Sequence, residues 1–296
     1  MFRFFHRVRC ELATVFKNLF TRFPILPFFC YPKEKEVGTL RWIVYENNEL
    51  VAGTSLRDEG FSTDAFACGN VAAYVGDDEA SVIRNRKDLA EAVGIPLDHW
   101  VYPQITHSDI LVEVKRQDQG EGTLSASLKF QGVDALYTKE RDLVLSVFHA
   151  DCTPILIHCP KTKIVAAIHA GWPGTIKEIV SKCMDTLIEK EKVEVSTLRV
   201  YIGPCLCQEH LEIDRPVLDK MKTMTFDVSP FLRYRDLDHA YFDMVGCNVH
   251  QLVSRGVPME NIEIHPECTY EDPLRFYSYR KEKVTGRHVS FIAMKK

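Results

Sequence analysis

Two nearly continuous apolar runs near the middle of the chain place the strongest constraint on its fold. The first, "DLVLSVFHADC", spans residues 142–152, and the second, "KIVAAIHAG", spans residues 163–171. A strand with one face in water alternates apolar and polar residues, whereas a strand covered on both faces is apolar throughout. The runs therefore predict two buried strands with other layers packed against both of their faces.

The flanking segments predict the elements that supply these layers. Residues 37–57 read as a hairpin around Asn47-Asn48, and "EASVIRNRKDLAEAVG" reads as a helix that ends at Gly94. Thr175 is placed to cap a helix over "IKEIVSKCMDTLIEK", whose apolar residues fall on one face. Two short strands around Pro103 and a polar loop at 120–132 precede the apolar runs, and later segments alternate between strand and helix patterns. We expect one α/β domain over residues 37–296, with mixed β-sheets flanked by helices.

Composition narrows the function classes. The chain has 296 residues, of which 46% are hydrophobic and 26% are charged, as in ordinary globular proteins. Its net charge of −4 provides no general basic field for nucleic acid. Ten cysteines without a secretory signal predict reduced thiols in a cytoplasmic protein. Cys205 and Cys207 are too closely spaced for a C-x2-C zinc knuckle, and we interpret them as half-buried thiols on a loop.

Residues 1–36 are expected to form an N-terminal extension. The first 32 residues are rich in Phe and Arg and contain one acidic residue, Glu11. Their apolar runs are shorter than the ~18 residues that a membrane span needs. Arg-rich, acid-poor segments resemble organelle transit peptides, but the usual serine enrichment is missing. A lineage-specific extension or alternative start is therefore slightly favoured, and organelle targeting stays open.

Three residues are candidates for a metal site. They are His107, Cys152 and His169, and each lies at the end of an apolar run and beside a turn. Zinc accepts thiolate sulfur and imidazole nitrogen, and catalytic zinc sites use three protein ligands and leave one position open. Asp151 could accept a hydrogen bond from a ligand imidazole, and Gly171 and Gly174 permit close backbone approach.

Two rival interpretations use the same residues. Cys152 could be a thiolate nucleophile with His107 or His169 as its base, or each residue could be structural. The spacing does not exclude either, although two histidines fit zinc slightly better because a cysteine hydrolase needs only one base. His149, His158, His210 and His250 are interpreted as structural or exposed.

Other candidates would bind an anion or a ring. Gly174 and Thr175 lie at a predicted helix start, where backbone N–H groups favour anions. The guanidinium group pairs bidentately with phosphate or carboxylate, and the arginine candidates are Arg86 in a predicted helix, Arg280 after a predicted aromatic strand and Arg287 beyond a turn. Trp172 and Phe66 could stack on a base, although surface or packing roles are the commoner fate of all these residue types.

Several motifs resemble one known family when they are taken in order. They are "GNVAAYVGDD…NR", "QITHSD", "HADCTPILI", "HAGWPGT", "YIGPCLCQEHLEI", "CTYEDPLRFYSYRK" and "TGR". Over about residues 38–296 the chain is similar to the laccase-domain family, also called the polyphenol-oxidase-named or multi-copper polyphenol oxidoreductase domain. The pairing of "ADC" with "HAGW" is the most specific part of this resemblance.

The resemblance implies a purine nucleoside phosphorylase that acts on adenosine, inosine, guanosine and methylthioadenosine, with adenosine deamination at the same site. It implies a zinc site on His107, Cys152 and His169, with copper as the alternative metal. It also implies catalytic roles for Cys152 and Asp151, substrate positioning by Asn70 and Arg86, and a single α/β domain unrelated to cupredoxin laccases.

The chain departs from the family pattern at three places. Pro173 replaces a usual Arg or Lys, Ser108 replaces a glycine, and "QITH" is one residue longer than the common "QVH". These departures leave two alternatives open, a copper-dependent phenol oxidase and a catalytically weakened scaffold or metabolic-complex partner. The preferred nucleoside and a homo-oligomeric state are not determined by the sequence.

Overall fold

The computed structural model describes residues 33–37, 40–45, 47–57 and 59–296. These residues belong to one compact unit that begins at residue 32. Residues 1–32 of the predicted extension over residues 1–36 lie outside the described residues, so the role predicted for them stays a prediction.

The strands, in chain order, are β1 (Lys33–Val37), β2 (Leu40–Val44), β3 (Leu50–Ser55), β4 (Trp100–Val101), β5 (Leu111–Glu113), β6 (Ala135–Thr138), β7 (Val144–His149), β8 (Thr153–Cys159), β9 (Ile164–Ala170), β10 (Arg199–Ile202), β11 (Glu212–Asp214), β12 (Leu232–Tyr234), β13 (His239–Phe242), β14 (Ile262–Ile264) and β15 (His288–Met294). The helices are α1 (Glu79–Val93), α2 (Trp172–Ile176), α3 (Ile179–Glu189), α4 (Arg215–Met221), α5 (Met244–Val253) and α6 (Tyr279–Glu282). Short 3-10 turns connect several of them.

The first sheet has six strands in the order β1-β2-β3-β15-β7-β4. Its β2–β3 hairpin confirms the prediction for residues 37–57, and the Asn47 side chain accepts hydrogen bonds from the backbone N–H groups of Glu49 and Leu50 in the turn. β1 begins at Lys33, four residues before the predicted domain boundary. The first sheet is mixed, because β4 pairs with β7 in parallel whereas β15 pairs with β7 antiparallel.

The second sheet has six strands in the order β14-β10-β8-β9-β6-β5. The two sheets pack face to face, and the core between them includes Leu145 and Val147 from the first sheet and Leu156 and Val165 from the second. Burial of such side chains contributes about 1.5–3 kcal/mol each. This face-to-face packing covers one side of every central strand.

Helices cover the outer faces of the two sheets. α1 packs Leu89 against the first sheet, beside Val144 and Phe148 on the outer face of β7. α3 and α5 pack against the outer face of β8 and β9. Both central runs, β7 and β9, are therefore buried on each face, as their uninterrupted apolar sequences predict. The mixed α/β prediction is confirmed.

Two local predictions in this region are wrong. The segment after "HAGW" forms two helices, and α3 begins after Glu178, which adopts a left-handed conformation with φ of 58°. Thr175 lies inside α2 and donates its hydroxyl hydrogen bond to Asn248 Oδ1 at 3.2 Å, so it caps nothing. Arg280 lies in the short helix α6 and follows no strand.

A third, three-stranded sheet in the order β11-β13-β12 packs with α4 and α5 around an apolar cluster that includes Ile213, Leu218 and Phe242. Within the described ranges, none of the helices combines the length and apolarity that crossing a membrane requires.

Candidate metal centre and adjoining cavity

Strand pairing in the second sheet brings distant residues to one end of it. β8 and β9 are antiparallel, with Pro154 opposite His169, so Cys152 just before β8 lies beside the end of β9. β6 is antiparallel to β9, and β5 is parallel to β6. The first residues of β5 and β6 therefore lie beside the last residues of β9. His107, which precedes β5, thus lies at the same end of the sheet as Cys152 and His169.

The three predicted ligands converge at this end of the second sheet. Cys152 Sγ lies 3.6 Å from His107 Nε2, and the ring centres of His107 and His169 are 4.9 Å apart. One potential ligand atom from each residue lies within 4.8 Å of the others. His107 adopts a left-handed conformation with φ of 59°, a strained geometry that surrounding contacts must hold.

Asp134, which the sequence reasoning missed, supplies those contacts. Its fully buried carboxylate accepts hydrogen bonds from the backbone N–H groups of Thr106, His107 and Ser108, at 2.8–3.0 Å. The same carboxylate binds His169 Nδ1 at 2.8 Å. One side chain thus fixes both histidines and leaves Nε2 of His169 directed away from Asp134. Nothing local marked this residue, because it precedes an ordinary strand.

The electrostatics of the cluster favour a thiolate. Desolvation alone would raise the pKa of Cys152, but His169 and His107 outweigh it and lower that pKa to about 6. Burial alone would lower the pKa of His169, yet the Cys152 sulfur and the Asp134 carboxylate raise it to about 9. Burial opposes ionisation of Asp134 as well, and His169 together with the backbone N–H groups lowers the pKa of Asp134 to about 2.

Gly171 makes room for the cluster. A Cβ atom at this position would lie 2.6 Å from His107 Cδ2 and 2.8 Å from Cys152 Sγ, which is closer than van der Waals contact allows. The glycine in "HAGW" is therefore required by the close approach of its backbone to two of the three candidate ligands.

Asp151 lines the cavity, but its carboxylate does not bond a ligand imidazole, which is the contact that the sequence predicted for it. Its carboxylate accepts hydrogen bonds from the Thr269 hydroxyl at 2.7 Å and the Arg280 backbone N–H at 2.6 Å, and Asp134 instead orients the imidazole of His169. Burial raises the pKa of Asp151 above its usual value, against these hydrogen bonds. Its backbone has φ of 97°, and Leu206 N–H donates to its carbonyl oxygen, so Asp151 joins three loops beside Cys152.

A cavity of about 1200 Å³ opens beside the three residues. Four aromatic rings line it, from Tyr74, Phe148, Trp172 and Tyr279. Five cationic side chains also line it, from Lys177, Lys220, Arg280, Lys283 and Arg287. Pockets of ~300–1,000 Å³ enclose small molecules in most proteins, so this volume accepts a ligand of nucleoside size together with an anion.

Two of the predicted arginines face the cavity. Arg280 anchors one nitrogen to the Glu212 carbonyl oxygen at 3.0 Å, and Arg287 anchors Nη1 to the carbonyl oxygens of Thr285 and Gly286. Asn70 is fully buried, and its Oδ1 accepts the Arg287 backbone N–H at 2.9 Å. Asn70 therefore positions the Arg287 segment and does not itself line the cavity.

The remaining predicted binding residues do not reach the cavity lining. Arg86 is buried and donates to the carbonyl oxygens of Val71, Gly122 and Thr123. Thr175 bonds to Asn248, and neither it nor Gly174 contributes to the lining. Of the two predicted stacking residues, Trp172 lines the cavity and Phe66 does not.

The donor set fits a borderline-soft metal ion. A thiolate and two imidazoles are ligands that zinc and copper both accept, and a histidine that bonds a carboxylate through one nitrogen presents the other to a metal. The His169–Asp134 pair has this arrangement, and the lowered pKa of Cys152 supplies the thiolate form that binds metal. Three protein donors beside an open cavity match the pattern of a site that keeps a position for a ligand.

Several known proteins are similar to this chain in sequence. A Staphylococcus saprophyticus protein named purine nucleoside phosphorylase is 34% identical over 264 residues, covering 88% of this chain and 99% of that protein. The purine nucleoside phosphorylase YlmD of Bacillus subtilis is 30% identical over 250 residues, covering 84% of this chain and 90% of the relative.

Solved structures agree with these sequence matches. A hypothetical protein, YfiH, of Bacillus licheniformis has a TM-score of 0.84 at 28% identity, covering 88% of this chain and 99% of its own. YlmD from Geobacillus stearothermophilus has a TM-score of 0.83 at 30% identity, covering 88% and 98%. The match to these neighbours, together with the mixed sheets of this chain, confirms that the fold is not a cupredoxin. Residues 51–295 match the family described as multi-copper polyphenol oxidoreductase laccase, and the chain belongs to that family.

Proposed function

We propose that this protein cleaves purine nucleosides with phosphate in the cavity beside His107, Cys152 and His169. The observation that carries the proposal is the convergence of these three side chains on a cavity lined by both aromatic rings and cations. Relatives at 30–34% identity, named purine nucleoside phosphorylases, support the same reaction. The substrates we infer are adenosine, inosine, guanosine and methylthioadenosine.

Phosphorolysis requires a purine leaving group, a ribose that gains oxocarbenium character and a phosphate nucleophile. The aromatic rings of Phe148, Trp172 and Tyr279 offer faces on which a purine can stack. Arg280 and Arg287 offer planar guanidinium groups for phosphate, each already held at one edge by a backbone carbonyl. Holding both reactants in one cavity lowers the barrier by removing translational and rotational freedom.

Lysines compensate for the family cation that Pro173 replaces. Lys177 lies one helical turn after Pro173 and donates to the His107 carbonyl oxygen at 2.9 Å. Lys220 lies 5.3 Å from the centre of the Trp172 ring, and both lysines line the cavity. Positive charge therefore remains beside Pro173, which argues against the catalytically weakened scaffold.

We further propose zinc at the three donors and adenosine deamination at the same site. Zinc bound there would supply a Lewis acid that lowers the pKa of a bound water towards ~7. The chain's own contribution is positional, since Asp134 holds the tautomer and orientation of His169, and Cys152 provides a thiolate at neutral pH. Asp151 and the loops that it joins hold Cys152 at the cavity wall.

A nucleoside screen tests the proposal. The purified chain is incubated with each nucleoside, with and without phosphate, while free base, ribose 1-phosphate and inosine are measured and bound metals are quantified. We expect phosphate-dependent release of base, phosphate-independent conversion of adenosine to inosine, and zinc. Copper with oxygen uptake on phenols would instead identify a phenol oxidase, and neither metal nor turnover would identify a scaffold.

Substitution of single cysteines tests whether metal binding and activity depend on Cys152 in particular. Cys152→Ala should lose the metal at this site and both activities, because it removes the sulfur donor. Cys68→Ser is the matched control, since Cys68 is also a free, half-buried cysteine but does not line the cavity. Activity that survives in Cys152→Ala would contradict the assignment.

A further inference from the structure

A second cluster of metal-binding side chains lies outside the cavity lining. It consists of Cys207, His210, Cys268 and Glu271, and one potential ligand atom from each lies within 4.8 Å of the others. His210 Nδ1 is at its centre, 3.1 Å from Cys207 Sγ, 3.5 Å from Cys268 Sγ and 3.8 Å from Glu271 Oε1. One imidazole nitrogen therefore faces two sulfurs and a carboxylate oxygen.

The sequence supplies these donors as two matched pairs. Cys207 and His210 are three positions apart, as are Cys268 and Glu271, and the C-x2-C pairs of structural zinc sites have the same separation. The predictions of half-buried thiols at Cys205 and Cys207 and of a structural or exposed His210 did not include this pairing. The partners are separated by about sixty residues, so only the fold brings the two pairs together.

Backbone hydrogen bonds join the two loops that carry the four side chains. Cys207 N–H donates to Cys268 Sγ at 3.3 Å, and Thr269 N–H donates to the Cys205 carbonyl oxygen at 3.1 Å. The His210 ring stacks on Tyr270 with their centres 4.2 Å apart. Such support limits the freedom of both donor pairs before any ion binds, which lowers the cost of binding.

We propose that Cys207, His210, Cys268 and Glu271 hold a structural zinc ion. Thiolate sulfur, imidazole nitrogen and carboxylate oxygen are all zinc ligands, and four protein donors fill the tetrahedral shell as in structural zinc sites, with Glu271 in place of a fourth Cys or His. The cluster differs in this respect from His107, Cys152 and His169, which offer three donors beside an open cavity. Cys268 is buried and Glu271 is exposed, so the ion enters from the Glu271 side.

A zinc ion at the second site would stabilise one wall of the cavity. Leu206 and Leu211, which flank Cys207 and His210 in sequence, line the cavity, and Leu206 N–H donates to the Asp151 carbonyl oxygen. Thr269, next to Cys268, donates to the Asp151 carboxylate. An ion that joins the two loops would therefore stabilise Asp151, the neighbour of Cys152, without touching a substrate. Zinc binding at this cluster would not require nucleoside cleavage.

Metal content in a Cys152→Ala background tests the second site by itself. Both variants are prepared in reductant and dialysed against zinc. We expect Cys152→Ala to retain about one zinc ion per chain and Cys152→Ala/Cys268→Ser to retain about none. Cobalt substituted into Cys152→Ala should give strong thiolate-to-cobalt absorption, which Cys152→Ala/Cys268→Ser should lose. Zinc-free Cys152→Ala, or equal zinc in both variants, would overturn the proposal.

A milder variant guards against misfolding of the cysteine variant. Glu271 is exposed, so Glu271→Gln in the Cys152→Ala background should fold and release zinc to a chromophoric chelator at least several-fold faster. Glu209→Gln is the matched control, because Glu209 is an exposed glutamate that lies between Cys207 and His210 in sequence and is not a member of the cluster. Equal release rates in both variants, or a Cys207–Cys268 disulfide with no zinc in the reduced protein, would also reject the site.

Discussion

At the scale of single residues, the Asp134 carboxylate accepts three successive backbone N–H groups and His169 Nδ1. Partners of this kind, which bond a ligand histidine, typically change metal affinity by about 10–100-fold when they are mutated. We expect Asp134→Asn to weaken zinc binding at His107, Cys152 and His169 by that factor. The amide NH2 group of the asparagine is a hydrogen-bond donor, so it could not accept from the N–H group that it would face.

Chelator competition in a Cys268→Ser background measures this change at one site. Asp109→Asn is the control, since Asp109 is a part-exposed aspartate that pairs with Lys182 at the surface. Zinc affinity that is the same in Asp134→Asn and Asp109→Asn would contradict the role of Asp134.

Arg86 offers a second test at this scale. Its guanidinium donates to three carbonyl oxygens, two of them in buried hydrogen bonds, and lies 4.6 Å from the centre of the Tyr102 ring. Arg86→Met should therefore lower the free energy of unfolding by on the order of 3 kcal/mol, because buried acceptors lose their partner. The KM for phosphate of the folded protein should not change.

Denaturant unfolding and phosphate kinetics distinguish the two roles of Arg86. Arg84→Met, at an exposed position of α1, is the control, and it should change stability by only about 0.5 kcal/mol. A large rise in the KM for phosphate with unchanged stability in Arg86→Met would restore the substrate-binding role that the family resemblance implies.

At the scale of elements, the pairing of β15 with β3 and β7 depends on a neutral histidine. The ring of His288 donates from Nδ1 to the Ser55 carbonyl oxygen at 2.8 Å, and its Nε2 accepts the Tyr277 backbone N–H at 2.7 Å. Burial, with a smaller effect of nearby arginines, lowers the pKa of His288 to about 3. A proton on Nε2 would remove the acceptor for Tyr277.

This pKa shift predicts acid sensitivity. The unfolded chain binds a proton at His288 below pH ~6.5 and the folded chain does not, so stability falls as the pH drops from ~6.5 towards ~3. From pH 7 to pH 5 the loss from this residue is up to about 2 kcal/mol. His288→Gln should be less stable at pH 7 but should lose less stability between pH 7 and pH 5, as measured by denaturant unfolding. Parallel pH profiles would show that His288 does not titrate in this range.

At the scale of the whole molecule, the described core lies within the unit that begins at residue 32. A chain that starts at residue 32 should therefore fold and keep its metal content. We expect its melting temperature to stay within about 2–4 °C of the full chain, which is the shift that 1 kcal/mol causes in a domain of this size. A larger loss would show that residues 1–31 contribute to the stability of the fold.

Much of the site follows from the sequence, while the supporting residues do not. The apolar runs predict buried strands because full burial removes the alternation of polar residues, and zinc chemistry singles out His107, Cys152 and His169. Asp134 could not be predicted, because only the pairing of β6 with β9 brings it beside its hydrogen-bond partners. Arg86 and Arg287 look alike in sequence, yet one bonds buried carbonyls and the other faces the cavity.

The sequence by itself determined which segments become buried strands and amphipathic helices, since periodicity and turn residues act over a few neighbouring positions. The tertiary structure decided which distant side chains meet. Strand order joins His107 to Cys152 across 45 residues and Cys207 to Cys268 across 61 residues. A one-residue change of register would turn such side chains to the opposite face of a sheet, so these meetings depend on the packing of the complete core.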